Sequence, residues 1–230
     1  TIAILGRIKN ELGIEAMAHF TCVGSTVEEL SDTLNAIIET GVENIIALRG
    51  DPPKGEAAWR PHPDGLRYSI ELVREAKAHG GFSIAVAGFP ETHPEAASPE
   101  ADIAYLKEKV DAGADAVVTQ FFFDNADFLR FRDRAVAAGV RVPIVPGILP
   151  VKSAAWVRKF APLCKAKVPA ELEAARTRLA GDEAGTIRFG VEFAAHQLRG
   201  LLAAGIPGYH VYSLNDPRPL EALLEAVGAA

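Results

Sequence analysis

The segment Leu48-Arg49-Gly50-Asp51-Pro52-Pro53 sets a cation, a glycine and an anion side by side directly after an apolar run. Glycine carries no Cβ, so a ligand and a backbone can approach closely there. The run thus delivers a cation, a flexible residue and an anion in sequence to one rim. On this tripeptide alone, a tight turn with an internal Arg–Asp pair fits equally well. Similar endings recur along the chain: His19-Phe20-Thr21-Cys22, Phe89-Pro90-Glu91-Thr92-His93-Pro94-Glu95-Ala96, Thr119-Gln120-Phe121-Phe122-Phe123-Asp124, Pro146-Gly147-Ile148-Leu149-Pro150 and Tyr212-Ser213-Leu214-Asn215. Gln120 offers a neutral amide that both donates and accepts. His19 and Cys22, with His62 and His93, are the candidate metal ligands, but residues three apart on an extended strand point to opposite faces, so no metal site is expected. Phe121–Phe123 reads as core.

These residues need elements that deliver them to one place. Short apolar runs are expected to be strands at Ala16–Cys22, Asn44–Gly50, Phe82–Phe89, Ala116–Phe123, Pro143–Leu149 and Tyr209–Leu214. They are rich in Val, Ile, Phe and Ala and do not alternate strictly, as in a parallel sheet covered by helices on its faces. Amphipathic stretches lie between them, and Gly13, Gly41, Gly80, Gly113, Gly139 and Gly205 stand where helices stop. Ser25-Thr26-Val27-Glu28 opens a helix with a capping box, and Ser98-Pro99-Glu100 opens another. Ile103, Leu106 and Val110 share one face of the latter. Asn125–Ala138 and Thr186–Ala204 continue the pattern, with an inserted helix and loop at Ala166–Asp182.

Strand–helix alternation leaves an open doubly wound sheet or a closed barrel. No GxGxxG or Walker loop follows any strand, and the polar residues gather at the C-terminal strand ends, where barrel enzymes build their sites. The fold class is therefore α/β, a (β/α)₈ TIM barrel. Only six of its eight βα units are found. The first two strands are expected to be missing at the N-terminus, since the chain opens inside a helix at Ile2–Leu12. Residues 1–230 read as a single catalytic domain, N-terminally incomplete.

The six strand-end segments, in order, resemble the methylenetetrahydrofolate reductase family of FAD-dependent bacterial-type enzymes, from Thr1 to about Val227. The resemblance implies reduction of 5,10-methylenetetrahydrofolate to 5-methyltetrahydrofolate, with FAD as cofactor and NADH or NADPH as hydride donor, the two substrates using the flavin in turn. It implies flavin contacts for His19, Arg49, Gly50, Asp51, Tyr68, Ser69, Phe89, His93, Ala96, Asp102, Tyr105 and Lys109. Asp51 and Gln120 are implied as the catalytic pair, and Asp51, Gln120 and Phe160 as folate contacts. Taken without the resemblance, Asp102 and Lys109 read as a solvated helix face, FPETHPEA as a Pro-rich loop and Phe160 as core. Three departures stand out. Asp216 occupies a position where the family often carries Arg, with Arg218 as the candidate replacement. Trp156 occupies a polar position. The family's general-acid Glu, in an EFFPP-type segment, is absent from this sequence.

The net charge is −6, from 24 Lys and Arg against 30 Asp and Glu, which argues against nucleic-acid partners. Two cysteines outside any CxxC pair suggest no disulfide framework. No apolar run approaches the roughly 20 residues a membrane span needs. A cytoplasmic homo-oligomer is expected, the oligomer from the family resemblance. Two alternatives remain. One is an FAD-binding barrel with another substrate or a regulatory role. The other is a cofactor-free lyase or aldolase, disfavoured because no strand ends in a Schiff-base Lys.

Overall fold

The computed structural model describes residues 2–52, 60–153, 161, 164 and 166–228. Helices and strands alternate along it: α1 Ile2–Asn10, β1 Met17–Thr21, α2 Val27–Glu39, β2 Asn44–Leu48, α3 Ser69–His79, β3 Ser83–Gly88, α4 Pro99–Asp111, β4 Ala116–Phe121, α5 Asn125–Ala137, β5 Ile144–Ile148, then α6 Ala170–Arg178, α7 Glu183–Ala203, β6 His210–Val211 and α8 Pro217–Val227. All six expected strands are present, each shorter than its apolar run. They form one sheet in the order β1-β2-β3-β4-β5-β6. β1 runs parallel to β2 from Met17↔Asn44 to Thr21↔Leu48, β2 parallel to β3 from Asn44↔Ser83, and β5 parallel to β6 at Gly147↔His210. A strictly sequential order has no point at which the winding reverses. An open doubly wound sheet has one, whereas a βα barrel does not.

The chain divides into two compact units, Thr1–Ala87 with Tyr105–Val117, and Gly88–Ala104 with Val118–Ala230. In the first, Ala18 and Phe20 of β1, Ile45 and Ala47 of β2, and Ile84 and Val86 of β3 are buried. α2 contributes Leu30, Leu34 and Ile37, and α3 Leu72, Val73 and Ala76, spaced to place each set on one stripe. The α2 capping box sits one residue later than the sequence pattern suggests. Thr26 Oγ1 accepts the Glu29 N–H at 3.1 Å, and the Glu29 carboxylate accepts the Thr26 N–H at 2.9 Å. Thr26, with φ −75° and ψ 163°, has the extended backbone an N-cap requires.

In the second unit, Phe121, Phe123, Leu149, Val151, Ala166 and Leu172 form one apolar cluster, against which Phe189, Phe193 and Tyr212 pack. Phe122 points the other way and stacks on Phe128 with centroids 5.4 Å apart. The Phe triplet is thus core, as its composition suggests. β6 is far shorter than the run Tyr209–Leu214 predicts. The ladder continues only through Tyr212, whose N–H reaches the Ile148 carbonyl at 2.9 Å. Leu214 and Asn215 then take φ of 52° and 57°, a left-handed turn incompatible with extended chain.

Candidate functional site

In the first unit, β2 ends at Leu48 and delivers Arg49, Gly50 and Asp51 beside the end of β1. The pairing outlasts the strands: the Cys22 N–H donates to the Leu48 carbonyl at 3.3 Å, and the Cys22 thiol to the Arg49 carbonyl at 3.5 Å. Burial pushes the Cys22 thiol up, which keeps the proton that this contact requires. Gly50 sits at φ 91°, and a Cβ there would lie 2.4 Å from Val23 Cγ1. Both backbone angle and space demand glycine. Asp51 is exposed. His19 is exposed on β1 while Cys22 is buried, as their spacing predicts.

Tyr68 immediately precedes the first residue of α3, Ser69, as the resemblance requires of a helix start. The Glu71 carboxylate accepts the N–H groups of Arg67 and Tyr68, the latter at 3.1 Å. The Arg67 guanidinium lies 5.6 Å from the Tyr68 ring centroid. Lys109 is no solvated helix residue: its Nζ donates to the Ala87 carbonyl of β3 at 2.7 Å. Tyr105 is 59% exposed.

In the second unit, the segment from Phe89 to Ala96 is a structured turn built around His93, which the plain reading as a Pro-rich loop does not anticipate. The Thr92 N–H bonds the Phe89 carbonyl at 3.1 Å, the Ala96 N–H bonds the His93 carbonyl at 3.0 Å, and Phe89 meets the His93 ring edge-on at 4.6 Å. His93 Nδ1 accepts the Glu95 N–H at 3.1 Å, so a neutral ring carries its proton on Nε2. The His93 N–H donates to the Asp102 carboxylate at 3.0 Å. Asp102 therefore fixes this loop from α4, again in place of a solvated face. Thr92 adopts φ 74°, a conformation uncommon outside glycine that concentrates at functional loops.

Gln120 is half-buried near the end of β4, and its side-chain oxygen accepts the Phe121 N–H at 3.0 Å. Nearby, Tyr212 OH donates to the Thr119 carbonyl at 3.0 Å, and Thr119 Oγ1 accepts the Gly147 N–H at 2.9 Å. Burial pushes the Tyr212 phenol up to about 12. Asp216 caps α8, taking the Arg218 N–H at 3.2 Å, and pairs with the Arg218 guanidinium at 3.0 and 2.9 Å. Those bonds hold its carboxyl well below the usual carboxylate range. Arg218 is thereby engaged with its own cap. Phe160 and Trp156 lie outside the described residues.

Sequence reasoning passed over one cluster. The half-buried Glu91 carboxylate accepts the Lys167 N–H at 2.8 Å, and burial pushes its proton affinity up. Lys167 Nζ reaches Asp127 at 3.0 Å, and Asp127, 5% exposed, also pairs with Arg130. An Asp in a first helical turn ordinarily faces water, and nothing in the local pattern marks Asp127 as buried.

The model of the family described as methylenetetrahydrofolate reductase matches residues 1–228. The chain belongs to the methylenetetrahydrofolate reductase family. It is 39% identical over 228 positions to the 5,10-methylenetetrahydrofolate reductase of Escherichia coli K12, covering 99% of this chain and 75% of that protein. It is 38% identical over 239 positions to the probable methylenetetrahydrofolate reductase (NADH) of Oryza sativa subsp. japonica, covering 99% of this chain. The chain spans only 40% of the length of that rice protein. Among solved structures, an uncharacterized Clostridium thermocellum protein that binds two copies of 5-methyl-5,6,7,8-tetrahydrofolic acid has a similar fold, with TM-score 0.54, 14% identity and 97% of each chain covered.

Proposed function

We propose that this family member is a flavin-dependent reductase that converts 5,10-methylenetetrahydrofolate to 5-methyltetrahydrofolate, with residues 1–230 acting as one catalytic domain. The observation that carries the reading is the family match over residues 1–228, to which the strand-end residues add the right chemical kinds. The donor set suits FAD. Tyr68 and Ser69 open a helix, whose first N–H groups favour phosphate oxygens. Lys109 and Arg49 bring positive charge, and Gly50 allows close backbone approach. His19, Phe89, His93, Ala96, Asp102 and Tyr105 are the remaining proposed contacts, with Asp102 acting at least partly through the His93 loop. FAD bound there would supply the redox chemistry that links a nicotinamide hydride donor, NADH or NADPH, to reduction of the folate.

The chain's own side chains orient the reactants. The Asp51 carboxylate accepts hydrogen bonds from the amino and ring N–H groups of a pterin. Its negative charge would also disfavour build-up of further negative charge on a flavin held beside it. The Gln120 amide suits a pterin or a nicotinamide carboxamide, and Phe160 is proposed as an apolar contact to substrate. The folate and the nicotinamide donor are the proposed partners, in a homo-oligomer.

Steady-state assay of the purified protein with NADH or NADPH and 5,10-methylenetetrahydrofolate tests the reading. Formation of 5-methyltetrahydrofolate supports it. Flavin binding without that product supports instead a flavin-binding barrel with another role, the reading that Asp216 and Trp156 favour.

A further inference from the structure

Glu91 stands outside the residues so far given a role, yet it is half-buried in the loop after β3. Its carboxylate takes a backbone N–H from a segment 76 residues further along the chain, at Lys167, at 2.8 Å. The same Lys167 is gripped a second time through its side chain, by the buried Asp127 at 3.0 Å. Three separate stretches of chain meet at this point: the β3 loop, the start of α5 and the approach to α6.

What the grip holds matters more than the grip. Ala166 and Leu172, on either side of Lys167, are buried in the cluster with Phe121, Phe123, Leu149 and Val151, and Val168 packs against it. Phe121 directly follows Gln120, and Phe123 lies two residues further on. Gln120 is itself tied to this backbone, since its Oε1 accepts the Phe121 N–H at 3.0 Å. Stretch 166–172 therefore backs the strand end that carries Gln120.

We infer that Glu91 is a positioning residue: by holding the Lys167 N–H it seats residues 166–172 against the end of β4 and so sets the placement of Gln120. The inference rests on the proposed reductase reading for its consequence, a specific effect on folate use. Its physical part stands without that reading. An ionised or neutral carboxyl, or an amide, supplies the needed acceptor oxygen, so Glu91→Gln keeps the bond and Glu91→Ala removes it. Lys167→Met leaves the backbone N–H in place and breaks only the Asp127 contact.

The test uses the full chain with its flavin and has two arms. Hydrogen exchange is measured for the amides of residues 120–123 and 166–172 in wild type, Glu91→Ala, Glu91→Gln and Lys167→Met. Glu91→Ala is expected to speed exchange in both stretches by about tenfold, the usual effect of one lost hydrogen bond, while Glu91→Gln stays close to wild type. In the second arm, Glu91→Ala is expected to raise KM for 5,10-methylenetetrahydrofolate about tenfold, with a smaller effect on flavin reduction by NADH, and Glu91→Gln to restore it. Unchanged exchange at 120–123 in Glu91→Ala overturns the inference. So does an equal loss in Glu91→Ala and Glu91→Gln. Faster exchange with no folate turnover by wild type overturns the reductase reading and leaves the positioning role of Glu91 supported.

Discussion

Replacing Gly50 by Ala isolates two costs that coincide at the end of β2. The first is conformational: φ is 91°, and holding a residue with a Cβ in such a region costs roughly 1–3 kcal/mol. The second is steric. The new Cβ would lie 2.4 Å from Val23 Cγ1, 3.0 Å from Val23 Cβ and 3.2 Å from Thr21 Cβ. Overpacking of that kind costs roughly 1–3 kcal/mol. Gly50→Ala should therefore destabilise by about 2–6 kcal/mol. The two parts separate in a double-mutant cycle. Val23→Ala removes the closest clashing atom, Cγ1, but leaves φ, the Cβ of residue 23 and Thr21 in place, so Gly50→Ala should cost less in that background by a part of the roughly 1–3 kcal/mol steric cost. The assay is urea unfolding, read as a shift in midpoint at constant slope. A Gly50→Ala midpoint equal to wild type, or the same cost in both backgrounds, refutes the reasoning.

Three further outcomes follow from the geometry. Gly190 lies inside α7, where Ala ordinarily gains about 0.5–1 kcal/mol over Gly. A Cβ there would sit 1.8 Å from the Val151 carbonyl oxygen, so Gly190→Ala should instead lower stability by about 3 kcal/mol in the same urea experiment. Tyr212→Phe removes the hydrogen bond to the Thr119 carbonyl and should cost about 1 kcal/mol, measured by thermal unfolding. Glu91 binds its proton more tightly in the folded chain than its ordinary carboxyl does. Between the ordinary carboxyl pKa and the raised folded one, the native state therefore holds more protons, and stability falls as pH rises through that window. Glu91→Gln should flatten this part of the stability–pH profile; an unchanged slope assigns it to another group.

The sequence carries the strand–helix order plainly, because buried parallel strands read as apolar runs and helix ends read as glycines. Strand ends were less legible. Tyr209–Leu214 looks like one strand by composition, but the left-handed Leu214 and Asn215 stop it early; Asn is a residue type that tolerates positive φ, whereas Leu214 gives no such signal. The α2 cap was legible to within one residue: Thr26 and Glu29 satisfy the same spacing as Ser25 and Glu28, and only backbone angle chooses between them. The polar strand-end residues were visible, but their partners were not. Asp102 and Lys109 look like surface charges at helical spacing. Their bonds to the His93 N–H and the Ala87 carbonyl join positions far enough apart in sequence that no local pattern reports them. Glu91, Lys167 and Asp127 show the same limit, since burial of Asp127 is a tertiary fact.

The central claim is that these residues hold a flavin that shuttles hydride to a folate. The direct measurement is anaerobic spectroscopy of the purified protein after reconstitution with FAD. The account predicts a yellow protein that releases FAD on heat denaturation, is bleached by NADH or NADPH, and regains its colour on addition of 5,10-methylenetetrahydrofolate, with 5-methyltetrahydrofolate formed in equal amount. A protein that stays colourless after incubation with FAD contradicts it.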